Sequence, residues 1–163
     1  MATDYNDYNK SCQEIAEHAV EALNLFLRST RTIAASEVPI IGEALRLITY
    51  RSALKYSLDE FNECLTGLWS TAEYLVKQII DSYYAIDLPE LRKTISWMYN
   101  LLPTAYSAAD GLTMTVDSEE MDAPEDTIAV LRKYEDDISQ ACNILENDLQ
   151  DYLKELEKLG GWI

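Results

Sequence analysis

The chain of 163 residues has a net charge of −16, and 48% of its residues are hydrophobic. A chain of this length and hydrophobicity is expected to form one domain, residues 1–163, with its own core, and it is not expected to be disordered. The charge disfavours direct binding to DNA, RNA or anionic lipid, because all three are negatively charged themselves.

Two features bear on the compartment in which the protein works. The uncharged apolar runs are shorter than the roughly 20 residues that a membrane span needs, and the N-terminus has no secretory pattern. Cys12, Cys64 and Cys142 lie far apart without a C-x-x-C pair, which is typical of a reducing compartment. The sequence therefore predicts either an intracellular, cytoplasmic protein or one whose targeting segment is missing from this chain, and it disfavours a membrane partner.

Apolar residues repeat at alternating steps of three and four along most of the chain. This spacing predicts an all-α fold, a bundle of about five helices in a long-short-long-short-long order. The first helix is expected over residues 4–34. A second helix is expected to start at the cap-like sequence Ser36-Glu-Val-Pro39. The pattern leaves open whether the apolar surface of this second helix is buried or exposed.

The clearest helix, and the expected centre of the bundle, covers residues 57–86. Ser57 and Glu60 have the spacing of a capping box, which predicts the helix start. Two neighbouring apolar rows predict contact with several other helices. The main row consists of Leu58, Phe61, Leu65, Leu68, Ala72, Leu75 and Ile79.

A fourth helix is predicted from the cap-and-proline sequence Asp87-Leu-Pro-Glu90. Pro103 is expected to end or kink it, because proline lacks a backbone N–H. Residues 111–123 lose the helical spacing and are predicted to form a loop, which is where function often concentrates.

The fifth predicted helix begins at Asp122 and Pro124 and carries an apolar stripe almost to the end of the chain. Gly160 is expected to end it. Residues 160–163 then form a tail in which Trp162 either folds back on the bundle or enters a partner.

The sequence contains no recognisable reaction centre. His18 is the only histidine, which excludes a His-Glu-x-x-His zinc site and argues against a di-iron bundle. There is no glycine-rich phosphate loop, and adjacent carboxylates such as Glu119 and Glu120 are expected by chance among 29 acids. We therefore predict no enzymatic activity, no metal and no cofactor.

The acids are concentrated late in the chain, where residues 117–157 hold fourteen acids against three bases. A rigid acidic helix can approach the charge density of a nucleic acid, since duplex DNA carries about one charge per 1.7 Å and a helix rises about 1.5 Å per residue. This favours a non-enzymatic inhibitor or adaptor that docks on the basic, nucleic-acid-binding surface of another protein. The alternative is an ordinary solvated face. The candidate partner-binding residues are Asp117, Glu119, Glu120, Glu135, Asp136, Asp137, Asp148, Asp151 and Trp162.

One stretch resembles a known group of proteins. Glu37-Val-Pro-Ile-Ile-Gly42 leads into an apolar helix, and a long capped helix follows from Ser57. Over residues 22–86 this pattern resembles the N-terminal helical bundles of cell-death signalling proteins, namely HeLo-like domains and the bundle of mixed-lineage kinase-like proteins. The resemblance implies a bundle that forms homo-oligomers or perturbs membranes. The charge of −16 departs from that expectation, and no functional residue is carried over.

Overall fold

A computed structural model describes residues 2–46, 52–119 and 124–160, with side chains described for residues 10–46, 53–118 and 124–160. Nearly all of these residues lie in four helices: α1 (Ala2–Arg46), α2 (Ser52–Asp81), α3 (Leu88–Glu119) and α4 (Glu125–Gly160). A short 3₁₀ turn, Tyr83–Ala85, lies between α2 and α3, and the described residues contain no strand. The all-α class is confirmed, and the expected count of about five helices is one too many.

The four helices form an antiparallel ring in which each helix packs on its neighbours in sequence and α4 returns to pack along α1. α1 and α2 are antiparallel, because a later residue on the α2 side contacts an earlier residue of α1. Trp69 bonds to Thr30, whereas Tyr83, in the turn after α2, bonds to Glu17. The diagonal pair α1 and α3 touches little. Short connections between sequential helices favour this up-down-up-down arrangement.

The core runs along the centre of the ring, and Tyr134 of α4 is its largest fully buried side chain. The phenol donates a hydrogen bond to Oδ1 of Asn62 on α2 at 2.6 Å. The ring meets Phe61 edge-on, with 5.5 Å between the ring centroids. These contacts join the diagonal pair α2 and α4, and the hydrogen bond satisfies the hydroxyl of the buried tyrosine.

The predicted apolar row of α2 is buried along its whole length, from Leu58 to Ile79. Its predicted start is wrong, because α2 begins at Ser52 and already buries Leu54 completely. Ser57 is therefore inside the helix and caps nothing. Its hydroxyl instead shares a hydrogen bond with that of Thr115 on α3, 2.8 Å away.

The predicted break at Ser36-Glu-Val-Pro39 is also wrong, because Pro39 lies inside the continuous helix α1. A proline in a helix interior removes one backbone hydrogen bond. The helix continues because core contacts hold it on both sides of Pro39, with Ile33 half-buried and Ile41 fully buried. The first part of the second predicted helix is thus the last part of α1, where Ile41 faces the core and Ile40 is exposed. Residues 47–51 lie outside the described residues, and Leu54, also expected in this helix, belongs to α2.

The predicted loop at residues 111–123 is wrong as far as Glu119, because α3 continues through Pro103 to that residue. Residues 120–123 lie outside the described part of the chain. Leu112 and Val116 are fully buried and extend the core spacing of the helix. Thr115 donates its hydroxyl to the carbonyl of Gly111 at 3.0 Å, as a helical threonine does. Burial of this face outweighs the weak helix propensity of the Thr and Val residues.

The predicted start of α3 is confirmed by its cap. Oδ1 of Asp87 accepts a hydrogen bond from the backbone N–H of Glu90 at 2.9 Å, which satisfies one of the free donors of the first turn. The predicted start of the last helix at Asp122 and the tail residues 161–163 lie outside the described residues. Gly160 is the last described residue of α4.

Candidate protein-docking groove

The seam between α1 and α4 opens outward into a groove of about 380 Å³. Two apolar side chains are unusually exposed there, Leu25 at 48% and Ile144 at 57%. The floor and walls are formed by Ala22, Leu25, Phe26, Ile33, Ala141, Ile144 and Leu145. A groove of this size suits a few inserted side chains or a small ligand.

Two of the predicted partner-binding acids lie at this groove. Asp137 and Asp148 of α4 both line it. They are eleven positions apart in sequence, which separates them by about 16 Å along a helix while keeping them on the same side. Asp151 is exposed one turn beyond Asp148. The groove therefore has an apolar floor and negative charge toward each end.

The end of the groove at Asp137 holds a compact charge cluster. Nζ of Lys133 lies 2.8 Å from Oδ2 of Asp137 and 3.6 Å from Oε2 of Glu37 on α1. Oε1 of Glu37 is buried and has no hydrogen-bond partner. Lys133 thus interacts with two carboxyl groups, one on its own helix and one on α1.

The titration behaviour of this cluster follows from its geometry. Burial, and then the neighbouring Asp137, raises the pKa of Glu37. The hydrogen bond from Lys133 lowers the pKa of Asp137. The same bond raises the pKa of Lys133. The negative charge of Glu37 is therefore less well stabilised than that of Asp137. A cation bound at this end of the groove would stabilise the charged form of Glu37.

Three other predicted acids lie at or near the contact between α3 and α4: Asp117 on α3, and Glu135 and Asp136 on α4. Asp117 pairs with Arg132, with 2.9 Å between Oδ1 and Nη2. Glu135 accepts a hydrogen bond from Thr113, and burial raises the pKa of Glu135. Asp136 accepts one from Nε2 of Gln140 at 2.9 Å. Asp117 and Glu135 are thus engaged across the contact between α3 and α4. Asp136 is exposed and bonds only within α4, to a residue that lines the groove.

The remaining predicted site residues cannot be placed at either surface. The side chains of Glu119 and Glu120, and all of Trp162, lie outside the described part of the chain.

The apolar half of the groove was missed from the sequence. Leu25 and Ile144 are large apolar residues that belong to neither core stripe. That mismatch with the stripe is the signal that marks them. Their closeness to each other depends on the packing of α1 against α4, which no single-helix pattern contains.

The described residues include no group of three or more His, Cys, Asp or Glu side chains that would hold a metal ion. His18 is exposed, and its ring centroid lies 6.2 Å from that of Tyr152. None of the described helices has a stretch long and apolar enough to cross a membrane.

Comparisons of the chain with protein-family models, with curated proteins and with solved structures found no match. The function of the groove is therefore inferred from its own shape and charge.

Proposed function

We propose that the protein is a non-enzymatic interaction module whose α1/α4 groove binds a basic amphipathic helix of another protein. The observation that carries the proposal is the combination of an exposed apolar floor at Leu25 and Ile144 with Asp137 and Asp148 toward the two ends. An amphipathic helix binds such a groove through apolar anchors at i, i+3, i+4 and i+7.

The charge of the whole molecule supports a basic occupant. A net charge of −16 attracts a positively charged partner from a distance and raises its rate of association. Basic helices are common on nucleic-acid-binding proteins. A partner of that kind would have its nucleic-acid-binding surface covered while it is bound, so the module would act as an inhibitor or adaptor.

The test uses a synthetic peptide of Leu and Lys with an amphipathic helical pattern, and the same composition in scrambled order. The ordered peptide is expected to bind more tightly than the scrambled one, and its affinity is expected to fall as salt rises. Isothermal titration calorimetry at low and high salt measures both effects.

Matched variants locate the binding surface. Asp148→Lys is expected to weaken binding of the ordered peptide about tenfold, which corresponds to about 1.4 kcal/mol. Asp59→Lys makes the same charge change on an exposed position of α2 and is expected to have a much smaller effect. Equal effects of the two variants would mean that only net charge matters, and would contradict the groove.

A second candidate function is the cell-death-type bundle that perturbs membranes. The observation that favours it is the exposure of Ile40 between Pro39 and Gly42 in the last part of α1. If this segment acts on lipid, the protein will release dye from liposomes and Ile40→Ser will reduce the release. No release from any lipid mixture would contradict this alternative.

A further inference from the structure

The middle of α3 is free of charge although 26% of the chain is charged. Residues 94–109 contain no Asp, Glu, Lys or Arg. This stretch is not simply buried, because Trp97, Asn100, Thr104 and Ser107 are all exposed. Solvent-facing positions of a helix are normally where charged residues concentrate. An uncharged outer face in so acidic a protein therefore needs a reason.

The neighbouring part of α2 extends the uncharged surface over residues 64–72, which also contain no Asp, Glu, Lys or Arg. Tyr74 and Trp97 pack against each other across the α2/α3 seam, with 5.7 Å between ring centroids, and remain 50% and 47% exposed. Further along the seam, Sγ of Cys64 lies 3.5 Å from Oγ1 of Thr104. We call this surface the neutral face. It consists of Gly67, Ser70 and Tyr74 of α2 and Trp97, Thr104 and Ser107 of α3.

We propose that the neutral face binds a second copy of this chain in a two-fold symmetric dimer. Two molecules of charge −16 repel each other, so they meet most easily where neither presents charge. Half-exposed tyrosine and tryptophan are the residue types that protein interfaces favour. In a two-fold dimer, the same patch supplies both sides of the contact.

Small residues permit close approach at this surface. A side chain added at Gly67 would meet nothing within 4 Å in its own chain, and Ser70 lies nearby on the exposed side of α2. The α1/α4 groove lies on the other side of the four-helix ring from α2 and α3. Dimerisation therefore leaves both grooves of the pair open for partners.

Salt distinguishes this surface from the groove. Screening weakens attraction between the acidic groove and a basic helix, but it also weakens repulsion between two acidic copies. The dimer is therefore expected to tighten between roughly 0.1 M and 1 M salt, where the Debye length falls from about 10 Å to about 3 Å. Failure of peptide binding would contradict the groove and leave the dimer untouched, whereas failure of dimerisation would contradict the neutral face and leave the groove untouched.

The experiment measures the sedimentation of the whole chain over a range of concentrations at both salt levels. Gly67→Glu places a charge in the neutral face, while Gly42→Glu makes the same change on α1, where an added side chain also meets nothing within 4 Å. Both changes replace a helical glycine by a better helix former, so thermal unfolding is expected to show that both variants fold.

The wild-type chain and Gly42→Glu are expected to form dimers that tighten with salt. Gly67→Glu is expected to weaken the dimer by at least tenfold in its dissociation constant. A wild-type chain that stays monomeric at every concentration and salt level would overturn the proposal. Equal dissociation constants for Gly67→Glu and Gly42→Glu would overturn it as well.

Discussion

Trp69 of α2 donates its indole N–H to Oγ1 of Thr30 on α1 at 2.7 Å. Thr30 is fully buried and passes its own hydrogen on to the carbonyl of Phe26, 2.6 Å away. The guanidinium of Arg31 lies over the Trp69 ring, 5.5 Å from its centroid, and pairs with Glu73. This chain of contacts matters because α1 and α2 pack more sparsely than the other three neighbouring pairs of the ring.

Thr30→Val is expected to destabilise the protein by about 1–2 kcal/mol, because it keeps the shape but leaves the indole N–H without an acceptor. Thr66→Val is the matched control. Thr66 also bonds the carbonyl four residues earlier, but it is exposed, so its replacement is expected to change stability by less than about 0.5 kcal/mol. Urea unfolding measures both, and similar losses would show that the bond to Trp69 contributes nothing.

Glu37→Gln is expected to stabilise the protein at neutral pH. The pKa of Glu37 is raised in the folded state, chiefly by burial. A raised pKa means that the stabilisation linked to its protonation is present at low pH and is lost as pH rises through the folded pKa. The difference in unfolding free energy between Glu37→Gln and wild type should therefore grow as pH increases from about 4 to 7.

Asp137→Asn is expected to change the unfolding free energy in the opposite direction to Glu37→Gln. The pKa of Asp137 is lowered by Lys133, so its contribution is present above the unfolded pKa and is lost as pH falls through the folded pKa. This variant is expected to be less stable than wild type at neutral pH, with the difference shrinking in acid. Parallel pH profiles for the two variants would contradict the assigned directions. The profiles are obtained from urea unfolding at each pH.

Gly111→Ala is expected to stabilise the protein by about 0.5–1 kcal/mol, because Gly111 lies inside α3 and alanine favours a helix over glycine. An added methyl group meets nothing within 4 Å. The melting temperature measures the effect. A fall in melting temperature would indicate that this stretch is the loop that its sequence suggests.

Asp87→Ala is expected to cost about 0.5–2 kcal/mol, because it removes the acceptor for the N–H of Glu90 at the start of α3. Asp81→Ala removes the same charge at the exposed end of α2. An acid there opposes the helix dipole, so its removal is expected to be neutral or slightly stabilising. Chemical unfolding of the two variants separates capping from a general charge effect.

The all-α class and the core row of α2 were predictable because apolar spacing is a local property. The positions of the helix ends were harder to predict from the sequence. Pro39 and Pro103 are typical of helix boundaries, yet both lie inside helices whose flanking residues, such as Ile41 and Leu102, are fully buried. Those tertiary contacts are absent from the local pattern and outweigh the lost backbone bond.

The groove was only half predictable for the same reason. Asp137 and Asp148 could be named from charge alone, but their position beside Leu25 depends on which helix packs along α4. Asp117 and Glu135 looked equivalent to them in the sequence. They lie instead against Arg132 and Thr113, within the contact between α3 and α4.

Because α4 closes the ring, apolar surface of α1 stays exposed while the chain is being synthesised. Among the described helices, the most extensive contact joins α1 to α4, which follows it in the sequence after α2 and α3. In a nascent chain that ends in α3, the apolar side of α1 is still exposed to water. This side includes Phe26 and the surface against which Leu145 of α4 will pack. Such incomplete chains are prone to aggregate. Docking of α4 against α1 is therefore the step that ends this exposure and gives α1 its main partner.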